Sequence, residues 1–317
     1  MSLTGSVKGW TGVDGSDGAS VCAVSVRTAV KAGQKPVVVS VKQLTNADSD
    51  TSPEVFRELL SNSASGYATL VTLPRTQYRL RVMPEPAVPA REMMSSLRWT
   101  VATDADTPGE DINLDWMRIP TEEQLPQRPR QIYAVITPTD ALSARLITWK
   151  QFGFKPKVVD IRETALRNVA GALERPGEGL ALVSADRHGV GMVFTHQGAL
   201  YLDRYIDLPQ DGLEATDAAT RAKLYERVAL QLLRSIDVVG RSFPFMPVTR
   251  VIVAPQPKPL GLLEFLSAHL PLAVEPLDLQ AVFDLSRVPE LAQSTELQAR
   301  SLVPLGATLR GVEVDRS

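Results

Sequence analysis

The stretch 178–207, EGLALVSADRHGVGMVFTHQGALYLDRYID, restricts the folds open to this chain more than any other. Leu180, Leu182, Met192, Phe194, Leu200 and Leu202 recur at the two-residue spacing of half-buried strands, and Gly198 sits where a hairpin reverses. The spacing predicts two strands joined by a tight turn. The first is interrupted by Ser184–Gly191, a loop with two glycines and an aspartate. Loops of this composition can present bare backbone N–H groups to an anion. Whether this loop does so separates an enzyme from a scaffold.

Upstream, Trp10–Asp14, Ala19–Arg27 and Pro36–Lys42 read as three strands, the first two separated by GSDG, whose residues suit positive φ. Short turns between them make an antiparallel meander. Ser52 as N-cap and Pro53 in the first turn open a helix over Glu54–Leu60. Tyr67–Leu73 is an apolar run suited to a buried parallel strand, giving the order β-β-β-α-β.

Pro74–Gln131 differs in character. It holds a proline-rich stretch, MPEPAVP, then Ala90–Val101, where Met93, Met94, Leu97 and Val101 fall at helical spacing. The methionines read as packing rather than as a cofactor contact. An acidic loop, DADTPGEDINLD, follows. Ile132–Ile136 is a strand and Thr139–Phe152 a helix, with Asp140 near its start and Gly153 past its end. The segment reads as a small α+β module set between two parts of a larger core.

Lys157–Ile161 returns to an apolar strand and Arg162–Leu173 is helical; Asp160 reads as an acid favouring the helix dipole, not as a catalytic carboxylate. Asp217–Val239 is a long amphipathic helix with Leu224, Val228, Leu232 and Ile236 close to one face. Thr249–Ala254 is a strand and Gly261–Leu270 a helix. The closing SLVPLGATLRG is a short element expected to pack back on the first part of the core.

Composition narrows the function. A net charge of -2 and a pI near 6.0 leave no electrostatic footprint for nucleic acid. One cysteine, Cys22, rules out an internal disulfide and a cysteine-cluster metal site; within VCAVSV it reads as a small buried hydrophobe. His188 and His196 lack partners at metal-ligand spacing and read as surface residues. No apolar run approaches the ~20 residues that span a bilayer, and MSLTGSVKGW lacks a signal-peptide core. A cytoplasmic protein is expected, reaching a membrane only through a partner.

Three stretches carry a resemblance. Segment 136–171, ITPTDALSARLITWKQFGFKPKVVDIRETALRNVAG, resembles PilM and its relatives in type IV pilus biogenesis: a strand, a long helix, a glycine-aromatic-Lys-Pro turn, then Val-Asp and a helix beginning near an Ala-Leu pair. LYERVALQLLRSIDVV resembles the family helix carrying Glu-Leu-x-Arg-Ser, and SLVPLGATLR its C-terminal ending. The whole pattern looks most like the MshI-type branch serving mannose-sensitive haemagglutinin (MSHA) pili. The resemblance implies an α/β, bilobal actin-like (ribonuclease H-like) fold with a small inserted α+β domain, as in PilM and FtsA. The first lobe would span 10–79, completed by 157–175 and 300–315; the inserted domain 80–156; the second lobe 176–299.

The resemblance also implies a nucleotide site built from three loops, and this chain departs from each. The family's first loop reads Asp-x-Gly-Ser followed by Val-Lys; here Asp14 is present, Ser16 takes the glycine place and Val21 the lysine place. In the second, Ser184 stands where the family has Asp, Asp186 where it has Gly, and Val190 where it has a phosphate-contacting Thr. In the third, the Gly-Gly pair gives way to PQPKP at Pro255–Pro259, and proline has no N–H to offer. No ATPase activity, cofactor, catalytic residue or metal is expected. Should ATP and Mg bind at all, Asp14, Ser16, Asp186 and Gly189 are the positions implied.

The partner implied is the cytoplasmic tail of a PilN-like inner-membrane protein, held as an extended peptide near Tyr67–Arg79 and the Ala90–Val101 helix. The competing reading is an active ATP-binding or hydrolysing member of the actin-like ATPase and sugar-kinase superfamily, which needs intact glycine loops and a base carboxylate. FtsA-like filament formation is a third; the polar ending GVEVDRS is too short for the membrane helix that accompanies it. A type II secretion platform protein is a fourth, and would continue into a membrane span.

Overall fold

The computed structural model describes residues 8–15, 20–29, 33–45, 66–105, 108–121, 129–151, 154–186, 188–207, 217–258 and 260–312. Ser16 and the helix expected over Glu54–Leu60 lie outside them. The chain forms two compact units, Met1–Thr72 with Pro156–Ser317, and Leu73–Lys155.

In the first unit, β1 (Gly9–Asp14), β2 (Ser20–Arg27) and β3 (Val37–Thr45) form the expected antiparallel meander, and β4 (Ala68–Thr72) pairs parallel with β1. Every residue of β1 is buried, as befits a central strand covered on both faces. Cys22 is buried in β2, its Sγ 3.5 Å from Ser301 Oγ.

The Leu73–Lys155 unit holds β5 (Arg79–Pro84), α1 (Ala90–Ala105), β6 (Ile112–Ile119), β7 (Gln131–Pro138) and α2 (Thr139–Gln151), with an antiparallel sheet in the order β5-β7-β6. Its core gathers Met83, Met93, Leu97, Val101, Ile112, Ile132 and Ala134. Met93 therefore packs as its spacing predicts, whereas Met94 turns outward. Strand β6 begins inside what reads as an acidic loop. Ile112, Leu114 and Trp116 alternate onto this core while Asp115 is exposed, and the density of acids conceals that period in the sequence.

Strand β8 (Val158–Asp160) returns to the first sheet, whose order is β3-β2-β1-β4-β8. The second sheet contains β9 (Gly179–Ala185), β10 (Gly189–His196), β11 (Ala199–Asp207), β12 (Val248–Val253) and β13 (Ala273–Pro276), in the order β11-β10-β9-β12-β13. Both sheets repeat one topology: three antiparallel strands, then two parallel additions beside the first.

This corrects the reading of 178–207. Its first half is two strands, not one interrupted strand. Val190 pairs with Ala185 and Gly191 with Ser184, so the pairing of β9 with β10 runs through most of the expected interruption. The expected reversal at Gly198 is present, with Gln197 and Gly198 at φ 50° and 74°.

The remaining helices are α3 (Arg162–Leu173), α4 (Ala218–Ser242), α5 (Leu262–His269), α6 (Leu279–Val282), α7 (Pro289–Gln293) and α8 (Thr295–Thr308). In α4 the buried stripe is Tyr225, Val228, Ala229, Leu232, Ser235 and Val239; Leu224 and Ile236 are only half-buried, so the apolar face is rotated from the expected one. Helix α8, the expected C-terminal element, lies on β1, β2 and β4. Helix α3 packs on α8 and also on β9, β10 and β11. It therefore touches both sheets. Ala165 of α3 joins Trp10, Ala68, Leu70, Val303 and Ala307 in one core cluster.

Candidate functional site

In open sheets of this kind, ligands bind outside the carboxyl ends of the parallel strands. Here β1, β4 and β8 end at Asp14, Thr72 and Asp160. The second sheet brings Ser184 near the end of β9, followed by Asp186 and by Gly189 at the start of β10. Two of the expected positions, Asp186 and Gly189, are therefore adjacent. Asp14 belongs to the first sheet, and Ser16 lies outside the described residues.

Each side chain is already engaged. Asp14 is buried, and Thr72 Oγ1 donates to its Oδ1. Asp160 is buried at the mouth of α3: its Oδ1 accepts from Ile161 N at 2.9 Å and from Thr164 Oγ1, and its Oδ2 lies 3.2 Å from Arg310 Nη1. That is the helix-terminal role its sequence position suggests.

Asp186 organises the second loop. Its Oδ1 accepts from His188 N at 2.7 Å, from Gly189 N at 2.9 Å and from the Tyr205 hydroxyl at 3.1 Å. Asp186 N in turn donates to Gly189 O at 2.9 Å, closing the turn. A phosphate loop works by offering unspent N–H groups. These two are spent on the loop's own carboxylate. The bare face of Gly189 is also covered: a Cβ there would lie 2.4 Å from Ile206 O and 2.5 Å from Tyr205 Cε1. Glycine is needed at 189 so that a tyrosine ring can cross the strand. Val21 and Val190, at the lysine and threonine places, are buried apolar residues.

Arg162, the first residue of α3, is the group that sequence reasoning missed. Its side chain is only 9% exposed, with Nη1 3.3 Å from Asp186 Oδ2. Its Nη2 donates to Ser184 Oγ at 2.8 Å and to Ser184 O at 3.2 Å. Burial pushes its pKa down, but Asp186, Tyr205, Glu163 and Asp14 more than reverse this and hold it above the ordinary arginine value. One guanidinium thus stands in the field of carboxylates from both sheets. A signal for it exists in the sequence: a cation in the first turn opposes the helix dipole, so Arg162 needs acids elsewhere.

The third loop leaves β12 at Ala254, whose N–H donates to Val183 O at 2.8 Å. After Pro255 and Pro257, Gly261 appears at φ 87° as the N-cap of α5. An open cavity of about 760 Å³ lies at the opposite end of β1 and β2, lined by Arg27, Lys35, Phe283 and Asp284 among others. It is not part of this cleft.

His188 is exposed, as expected; His196 is not. It is buried, with Nδ1 2.9 Å from Glu178 O and its ring against Tyr201 and Phe245. The aromatic cluster claims it for packing. Among the described residues, no group of three or more His, Cys, Asp or Glu is placed to hold a metal ion, and no helix is long and apolar enough to cross a membrane.

No protein-family model matches the sequence, and no curated protein matches it. Among solved structures, the chain is similar to a PilM–PilN type IV pilus biogenesis complex, with a TM-score of 0.72 at 19% identity over 96% of this chain and 98% of that one. It is also similar to the cytoplasmic domain of EpsL, an inner-membrane component of the Vibrio cholerae type II secretion system (TM-score 0.48, 14% identity, 86% and 92% covered). A Bacteroides thetaiotaomicron protein with an actin-like ATPase fold aligns at TM-score 0.48 and 10% identity, over 92% and 98%. With both sheets repeating one topology and the PilM likeness spanning nearly the whole chain, the fold is the mixed α/β fold of that PilM structure.

Proposed function

We propose that this chain is a cytoplasmic scaffold of a type IV pilus assembly platform, of the MSHA type, that binds the cytoplasmic tail of a PilN-like inner-membrane protein. The observation that carries this reading is the fold: a solved PilM, in complex with PilN, aligns over 96% of this chain. The MshI-like assignment rests on the resemblance at 136–171, 224–239 and 301–310. In this reading the protein stands beside the inner membrane through its partner.

The nucleotide cleft is degenerate in the same reading, and the protein is not an ATPase. The residues present do not fit ATP and Mg. The second loop's N–H groups serve Asp186, Tyr205 covers Gly189, and Arg162 engages Asp186. Two experiments test the proposal. Immobilised PilN-like tail should capture the folded protein; failure of capture contradicts the scaffold reading. Calorimetric titration with Mg-ATP should give no micromolar binding, and a micromolar dissociation constant contradicts the degenerate cleft.

A further inference from the structure

Arg162 does more than pair with one acid. Helix α3, which carries it, packs by Ala165 into the first sheet's core and against α8, and on its other side against β9, β10 and β11. The guanidinium reaches the second sheet's loop with three contacts, to Asp186 Oδ2, Ser184 Oγ and Ser184 O, at 2.8–3.3 Å. A buried guanidinium is stable only where acceptors meet its planar fork. Among its acceptors, Ser184 stands near the end of β9 and Asp186 in the turn that follows.

We propose that Arg162 is an internal ligand of the cleft: a tethered cation that joins α3 to the β9–β10 turn and keeps the two sheets together without nucleotide or metal. This rests on the reading of the cleft as degenerate and deepens it. The loop is not merely eroded. It is built around a cation supplied by the chain itself, with Asp186 dividing its two oxygens between the turn's N–H groups and Arg162. The pKa of Arg162, raised by acids from both sheets against the effect of burial, agrees with a site designed for a fixed positive charge.

Chemical rescue tests it. Arg162→Ala should lower the melting temperature by on the order of 10 °C, because it takes the guanidinium away from the half-buried Asp186 Oδ2 and from the buried Ser184. Millimolar guanidinium or ethylguanidinium should restore part of that loss, while ethylammonium, a point cation without the fork, should not. Wild-type protein and the Arg162→Ala/Asp186→Ala double variant should show no such gain. Should Arg162→Ala fail to fold, the milder cycle of Arg162→Lys with Asp186→Asn reads the same coupling: the double variant should melt well above the sum of the two separate losses. Additive losses, or equal rescue with and without Asp186, overturn the internal-ligand proposal while leaving the degenerate cleft standing. Micromolar binding of Mg-ATP to wild-type protein overturns both.

Discussion

Gly306 of α8 faces α3, and a Cβ there would lie 2.2 Å from Ala165 O, 2.8 Å from Ala165 C and 3.0 Å from Val169 Cγ2. The obstacle is a carbonyl in the middle of a helix, which no rotamer change can move aside. Ordinary contact with a carbonyl oxygen needs about 1 Å more, so Gly306→Ala must separate two closely packed helices. Overpacking of this kind costs typically ~1–3 kcal/mol, and a backbone obstacle places it at the upper end. The hydrogen bond from Asn168 Nδ2 to Gly306 O, 3.0 Å long, would stretch with it. Alanine's higher helix propensity offsets ~1 kcal/mol, leaving a net loss of about 2 kcal/mol, or roughly 4–8 °C in Tm for a unit of this size. Gly240 is the control. It is also helical, in α4, but nothing lies within 4 Å of its Cβ position. Gly240→Ala should therefore gain the propensity alone, raising Tm by about 2–4 °C. Thermal unfolding followed by circular dichroism measures both variants. If Gly306→Ala melts as high as Gly240→Ala, the close α3–α8 crossing is wrong, and with it the placement of α3 between the sheets.

Further predictions concern titrating groups. Burial, and secondarily Glu174, pushes the Tyr201 phenol up to about 12 from 10.0. Its folded-state pKa is raised, so the stability it confers is complete below pH 10 and lost as pH rises toward 12. Burial raises the Tyr225 phenol as well, so a spectrophotometric titration should show Tyr201 and Tyr225 ionising late, together with alkaline unfolding; Tyr201→Phe should remove the Tyr201 share of that late step and extend stability upward in pH. Asp217 caps α4, accepting from Ala219 N at 2.9 Å and Thr220 N at 3.0 Å. The backbone and side-chain hydrogen bonds of Thr220 hold its pKa below the usual carboxylate range. Its contribution is therefore present above the unfolded-state pKa and falls away as pH drops through the folded one. Asp217→Ala should lower Tm at neutral pH, Asp217→Asn should lower it less, and the gap between wild type and Asp217→Asn should close in acid.

Much of the framework was legible because it follows simple periods. The meander β1–β3, the parallel β4, the reversal at Gly198 and the long helix α4 all come from alternation, helical spacing and turn residues. Misreadings occur where a local signal meets a tertiary demand. The glycines at 189 and 191 look like a phosphate loop, yet they sit in β10, and the first is glycine because Tyr205 crosses it. Strand β6 hides among acids. His196 looks like a surface residue because nothing near it in sequence announces Tyr201 and Phe245 as neighbours. In the sequence Arg162 reads as one more helix residue. Its partner Asp186 is 24 positions away, and only the fold brings the two within 3.3 Å.

The affinity of the folded protein for a PilN-like cytoplasmic tail, measured by calorimetry with and without Mg-ATP, tests the central claim most directly. A scaffold whose cleft is filled by its own arginine should bind the tail with the same dissociation constant in both conditions. No binding in either condition, or a tenfold change when Mg-ATP is added, would contradict it.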